Sequence, residues 1–155
     1  MNKKVTNIIL GLIGIGAIVL LVWGGGNSSV EENPIVSTSG TEVPCLPNGH
    51  QAVAQHIHPV ISISVDGEEE FIPANVGIEG LCMREVHTHD ATGTIHIETK
   101  EVNTTYTLPD FFAVLGAPME REGYSMTATK DEEEVSPEEL VFEDGSMVEV
   151  RYISI

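Results

Sequence analysis

The chain has 155 residues, of which 24 are acidic and seven are basic, so its formal net charge at pH 7 is −17. Two of the basic residues, Lys3 and Lys4, stand near the N-terminus, whereas all 24 acidic residues follow Val30. Negative charge of this size repels phosphate backbones, which excludes nucleic acid as a partner, and it draws cations to the surface.

The first 26 residues have the composition of a membrane anchor. Residues 5–30 contain no charge, and residues 8–23 are apolar apart from glycines. A segment of this length spans the roughly 30 Å hydrocarbon layer, whereas the core of a cleaved signal peptide has about 7–15 residues. Because Lys3 and Lys4 precede it, we predict a single-pass protein of the cell membrane with a cytoplasmic N-terminus. Cleavage after the small residues at 24–28 is the alternative.

The rest of the chain divides into a spacer and one domain. Residues 27–43 are rich in Gly, Ser, Thr and Asn without apolar periodicity, which is typical of a flexible linker. Residues 44–155 are enough for one hydrophobic core and too few for two. We therefore predict an anchor at 1–26, a spacer at 27–43 and an extracytoplasmic histidine-containing domain at 44–155.

The first strands of that domain are predicted from alternation of apolar and polar residues. Residues 56–65 alternate throughout, which indicates one half-buried strand. Asp66 and Gly67 form a typical hairpin turn into a second strand at 69–72, and Pro73 ends the pairing.

A second hairpin is predicted around a loop at residues 90–93. A loop of this length pairs Val86 with Ile97 and Thr88 with Ile95 on one face. A loop shorter or longer by one residue would place Val86 and Thr88 opposite polar residues of the second strand. The apolar match therefore favours the four-residue loop.

A short helix is predicted to begin at residues 107–110, whose sequence TLPD combines a capping threonine with a proline in the first turn. The side chains of Phe111, Phe112 and Leu115 give this helix one apolar face before Gly116.

The C-terminal segment is predicted to be a strand. Val148, Val150 and Tyr152 alternate with polar residues after the turn-forming dipeptide at 144–145, whereas the acidic run at 131–134 has the composition of an exposed loop. Together these elements predict a mostly β fold, a small antiparallel sandwich or barrel-like domain with one short helix.

Cys45 and Cys82 are the only cysteines of the chain. Disulfides persist outside the cytoplasm, so an even count in a domain predicted to lie there favours a bridge between them. The alternative makes Cys82 a copper ligand near Met83 and His87, but the methionine expected shortly after the histidine is missing from the sequence.

All six histidines fall within 47 consecutive positions, and four of them form two H-x-H pairs. Residues two apart on a strand project from one face, so each pair can offer imidazole nitrogens to one ion such as Zn²⁺ or Cu²⁺. The register of the second hairpin adds a third histidine, and Asp90 or Glu98 can ligate the ion or orient a histidine. The predicted metal ligands are His56, His58, His87, His89, His96 and Asp90. Hydrogen-bonded histidines with a structural or pH-sensing role are the alternative.

Residues 87–98 read HTHDATGTIHIE, and further stretches read HIH at 56–58, IPANVGI at 72–78 and YTLPDFF at 106–112. These stretches, about half of the chain, resemble a family of uncharacterised prokaryotic proteins that are secreted or membrane-anchored. The segment 115–116 departs from the Trp-Gly usual in that family, and Pro109 replaces the usual Gly. The resemblance implies the histidine block and the domain boundaries, and it implies no particular reaction.

Motifs for nucleophilic serine, phosphate or dinucleotide sites do not occur in the sequence, so no catalytic residue is predicted. We predict a membrane-tethered extracytoplasmic protein that binds, delivers or sequesters copper or zinc. The alternative is a zinc-dependent hydrolase, in which three histidines leave one coordination position open. A third class is an interaction domain without a metal, whose histidines would be dispersed over the surface.

Overall fold

A computed structural model describes residues 42–46, 49–51 and 53–155. The predicted membrane anchor and nearly all of the predicted spacer lie outside these residues. Within this part of the chain, no helix has the length and apolar character needed to cross a membrane.

The described residues form a mostly β domain with one short helix, as the sequence predicts. In chain order the elements are β1 Gln55–Ile57, β2 Val60–Val65, β3 Glu68–Glu70, β4 Ile78–Glu79, β5 Cys82–Met83, β6 Val86–His87, β7 His96–Thr99, α1 Leu108–Leu115, β8 Tyr124–Lys130, β9 Glu133–Val135 and β10 Met147–Ser154.

Strands β2 and β10 are neighbours in a five-stranded sheet of order β3-β2-β10-β8-β9. They run parallel, with Ile61 opposite Val148 and Ile63 opposite Val150, and all four side chains are buried. The predicted inward alternation of the last strand is therefore confirmed. The expectation of purely antiparallel pairing is wrong here, because two strands so distant in sequence are not joined by a hairpin turn that would fix their direction.

The predicted single strand at residues 56–65 is wrong, because the structure divides this segment between two sheets. Strand β1 pairs with β7, whereas β2 pairs with β3 and β10. The division falls at Pro59, which has no N–H to donate to a ladder. The backbone N–H of His58 is bonded to the Asp144 carboxylate instead, at 3.0 Å.

Two hairpins of the five-stranded sheet have turns at positive φ. The predicted turn at Asp66 and Gly67 is confirmed, with φ of 50° and 87°, although β3 begins and ends earlier than predicted. Asp131 and Glu132 form the other turn, with φ of 53° and 70°, and join β8 to β9. The loop predicted at 131–134 is thus only a two-residue turn, because its second half pairs with β8.

A three-stranded sheet of order β1-β7-β6 carries the second predicted hairpin. Val86 lies opposite Ile97, as predicted. The predicted Thr88–Ile95 pair does not form, because both residues bond elsewhere. The Thr88 N–H donates to the Val76 carbonyl at 3.0 Å, and the Ile95 N–H donates to the Pro59 carbonyl at 2.9 Å.

Helix α1 has the predicted ends. The Thr107 side chain and the Asp110 side chain cap each other's backbone N–H groups, and Gly116 ends the helix in a left-handed conformation with φ of 72°. The helix buries Phe111 and Phe112 in a core shared with residues of both larger sheets. It also contacts β6 directly.

Candidate metal centre

All six histidines lie in one cluster. Each ring has its centroid 4.3 to 5.9 Å from the centroids of at least two other histidine rings. The rings belong to three parts of the chain, namely the segment before β1, the β1–β2 region and the second hairpin. The structure therefore brings together every histidine that the sequence predicts as a ligand, and it adds His50.

Pairing of β7 with both of its neighbours brings three of the histidines and Glu98 onto one face of the sheet. On one edge of β7, His56 lies opposite Glu98, and on the other edge His87 lies opposite His96. Directly opposed residues project from one face, as do residues two apart on a strand. Strand β7 thus places His96 and Glu98 on the face that also carries His56 and His87.

His50, His87 and His89 form a first group, here called the first triad, with one potential ligand atom from each within 4.8 Å of the others. The Nε2 atoms of His87 and His89 are 3.3 Å apart. Two nitrogens bound to one tetrahedral ion at about 2.0–2.1 Å are separated by about 3.3 Å. This pair therefore already has the spacing that a shared tetrahedral ion requires.

His56, His58 and His96 form the second triad, whose potential ligand atoms also lie within 4.8 Å of one another. Nε2 of His56 lies 3.2 Å from Nδ1 of His96, and the His58 ring lies 4.3 Å from the His56 ring, centroid to centroid. The second triad is more open than the first, since its members are exposed or half-buried.

The carboxylate of Glu98 lies between the triads and is almost completely buried, with 1% of its side chain exposed. Its oxygens are 2.7 Å from Nδ1 of His50, in the first triad, and 3.0 Å from Nε2 of His56, in the second. An ionised carboxylate out of water requires compensating hydrogen bonds or positive charge. One imidazole from each triad, His50 and His56, contacts it directly.

His87 is held as a neutral imidazole. Its Nδ1–H donates to the Arg84 carbonyl at 2.8 Å, which leaves the Nε2 lone pair directed at His89. Burial lowers the pKa of His87 from 6.5 to about 4, against a smaller opposing effect of the Arg84 hydrogen bond. Burial and the neighbouring histidines also lower the pKa of His96. A neutral imidazole is the form that binds metal.

Asp90, the remaining predicted ligand, is engaged elsewhere. Its Oδ1 accepts hydrogen bonds from the Thr92 backbone N–H at 2.9 Å and from the Thr92 hydroxyl at 2.6 Å. These bonds close the loop after His89, and the three ligand groups found among the described residues do not contain Asp90. Its carboxylate therefore shapes the loop between the two histidine-bearing strands.

His50 was not among the predicted ligands, because it lies outside any strand pattern. Cys45 and Cys82 are bonded to each other, with their Cα atoms 5.3 Å apart, and His50 belongs to the loop that this bond closes. The bond also takes up the Cys82 sulfur that the alternative copper site would have used. The sequence contained one signal for this position: His50 lies five residues after Cys45, whose predicted partner Cys82 shortly precedes the second hairpin.

Comparisons of the chain with protein-family models, with curated proteins and with solved structures found no match. What the protein does is therefore inferred from the histidine cluster and its surroundings.

Proposed function

We propose that the protein is a membrane-tethered extracytoplasmic metal-binding protein that binds, delivers or sequesters copper or zinc. The observation that carries this proposal is the convergence of six imidazoles from three parts of the chain around one buried carboxylate. Imidazole is a ligand that both Zn²⁺ and Cu²⁺ accept, whereas Mg²⁺ and Ca²⁺ prefer oxygen. The acidic surface would raise the local concentration of cations.

Two contacts favour a bound cation over histidines that are merely hydrogen-bonded. The Nε2 atom of His87 carries a lone pair because Nδ1 is already the donor, and it faces Nε2 of His89. The second contact is that of the buried Glu98 carboxylate with His50, the third ring of the first triad, at 2.7 Å. A divalent ion would satisfy both the lone pairs and the carboxylate. The clustering also disfavours an interaction domain, for which dispersed histidines were expected.

The proposed location rests on two features. The uncharged segment at 5–30 after Lys3 and Lys4 supports a single membrane-spanning helix with a cytoplasmic N-terminus. The Cys45–Cys82 bond supports an oxidising compartment for the domain. In this proposal the membrane and the metal ion are the partners.

We further propose that the two larger sheets enclose their core in the manner of a small sandwich. The core cluster includes Ile61 and Val150 of the five-stranded sheet together with Val86 and Ile97 of the three-stranded sheet. Shared burial of these side chains supports two sheet faces that pack on one core.

A zinc-dependent hydrolase is the second candidate, and the three-histidine composition of each triad is what favours it. Catalytic zinc commonly has three protein ligands and an open position for water. Hydrolysis of a nitrophenyl ester by the zinc-loaded protein, absent in His89→Ala, would support this candidate. Hydrolysis rates equal to those of free Zn²⁺ would rule out the hydrolase.

The test of the main proposal is metal binding by the full chain, purified in detergent without a histidine tag. Elemental analysis identifies the bound metal, and calorimetry with Zn²⁺ and Cu²⁺ gives the affinities. We expect His89→Ala and His96→Ala each to bind at least about tenfold more weakly, since each removes a ligand nitrogen. The control is Glu134→Gln, on exposed edge strand β9. Equal affinity in all four proteins would refute the proposal.

A further inference from the structure

The cluster contains more donors than one ion takes. Six imidazoles and the Glu98 carboxylate surround the same small region, whereas a zinc site has about four ligands. The surplus donors are not scattered, because they are divided into the two triads. Each triad offers three nitrogens, which is the number that protein side chains commonly give to one ion with an open position.

The shortest contacts between nitrogens lie within the triads. The His87–His89 contact of 3.3 Å belongs to the first triad and the His56–His96 contact of 3.2 Å to the second. Each contact matches the separation of about 3.3 Å expected for two ligands of one tetrahedral ion. Each triad therefore contains one pair of nitrogens with the spacing of two ligands on a single ion.

Glu98 connects these centres. One of its contacts is to His50 in the first triad and another is to His56 in the second, so its carboxylate borders both. A carboxylate has two oxygens, and each can bind a different ion. Glu98 lies on the central strand β7, and its Oε1 is 2.8 Å from Nδ1 of His50 and 3.0 Å from Nε2 of His56.

We propose that the cluster is a dinuclear site, in which each triad holds one divalent transition-metal ion and Glu98 bridges the two. This inference rests on the proposed function and specifies its stoichiometry. A single central ion is the competing arrangement, since potential ligand atoms of His87, His96 and Glu98 also lie within 4.8 Å of one another. A central ion would leave His58 and His89 without a role in binding.

Cu²⁺ is the probe, because two nearby Cu²⁺ ions couple magnetically. The full chain in detergent is dialysed against Cu²⁺, and bound copper is counted per chain. We expect two ions in the wild type and one each in His58→Ala and His89→Ala, whose exposed side chains can be removed without disturbing the core. A half-field electron paramagnetic resonance signal should appear in the wild type and vanish in both variants.

The remaining outcomes separate the inference from the proposed function. One tightly bound ion in the wild type, without a half-field signal, would overturn the dinuclear site and leave metal binding intact. No bound copper, together with no binding of Zn²⁺ in the calorimetry, would overturn both. The bridge itself is tested by Glu98→Gln, which should weaken binding of the second ion at least about tenfold, whereas Glu134→Gln should leave both affinities unchanged. Circular dichroism verifies that Glu98→Gln is folded.

Discussion

The carboxylate of Glu98 lies 2.7 Å from Nδ1 of His50, a residue 48 positions earlier in the chain. This contact fastens a residue outside the sheets to strand β7. Because the disulfide closes the loop that contains His50, two independent constraints hold the imidazole in place. The completeness of the first triad therefore depends on residues that are not themselves in it.

Burial of His87 predicts that the metal-free protein loses stability on acidification. The pKa of His87 falls from 6.5 in an exposed ring to about 4 in the folded protein, so between these values the unfolded chain binds a proton that the folded chain excludes. This stabilisation is complete above the unfolded pKa and is lost as the pH falls towards the folded one. The loss should be on the order of 3 kcal/mol.

Urea unfolding across this pH range, in the presence of a chelator, measures the effect. His87→Gln has no titrating ring and should show a correspondingly weaker pH dependence than the wild type. Because all other groups are common to the two proteins, the difference between their curves isolates His87. Parallel curves would contradict the prediction.

Replacement of both Cys45 and Cys82 by serine should lower the free energy of unfolding. The bond spans 37 positions, and closing a loop of that size stabilises by roughly 3–4 kcal/mol. The variant should also bind metal more weakly, since His50 is released from one of its constraints. Thiol titration of the folded, oxidised wild type is the control, and two reactive thiols there would show that the bond is absent.

Gly93→Ala should destabilise the domain strongly. A Cβ at Gly93 would lie 2.2 Å from the Ile61 carbonyl oxygen, and the residue has a φ of +81°. Gly145→Ala is the matched control, because Gly145 has a φ of +70° but open space around it. In the control, backbone strain alone should lower the free energy of unfolding by about 1 kcal/mol. In Gly93→Ala the free energy of unfolding should fall by at least about 2 kcal/mol more. Equal losses in thermal or urea unfolding would show that the close approach is unimportant.

A protein lacking residues 1–41 should fold. Its first residues include Val43, which the sequence predicts to be the last residue of the spacer but which is buried in the core, whereas residues 1–41 are expected to contribute nothing to it. The truncated protein should remain soluble and retain its β circular-dichroism signal. Aggregation, or loss of that signal, would place the domain boundary nearer the N-terminus.

Asp90→Asn should leave metal affinity within about threefold of the wild type, because the structure engages the Asp90 side chain with Thr92 and exposed charges interact weakly. Asparagine keeps one side-chain oxygen to accept those hydrogen bonds. Calorimetry with Zn²⁺ checks this, alongside His89→Ala as the variant expected to weaken binding. A loss of affinity as large as that of His89→Ala would show that Asp90 is a ligand.

Local chemistry was enough to predict several elements. The capping box at Thr107 and Asp110, the turn at Gly67 and the Val86–Ile97 pair each depend on residues close in sequence or on a match between two short patterns. The same patterns brought His87 and His96 together.

What could not be predicted depends on contacts between distant segments. Tyr124, Met126 and Ala128 alternate with polar residues, a local signal for β8 that the prediction did not use, whereas β9 at Glu133–Val135 has no such alternation. Pro59, which has no N–H to donate, is a local reason for the segment 56–65 to divide, but no pattern within that segment specifies the pairing of β1 with β7. His50 is likewise placed by Glu98 and by the disulfide rather than by its own neighbours.

Strand β7 has consequences for the order of events in folding. It receives β1 on one edge and β6 on the other, and the His56–His96 contact joins positions 40 apart. An unfolded chain offers only isolated H-x-H pairs, so we expect the complete histidine cluster to form late in folding. A metal ion that binds only after this assembly should slow unfolding and leave the refolding rate nearly unchanged, which stopped-flow kinetics with and without Zn²⁺ would measure.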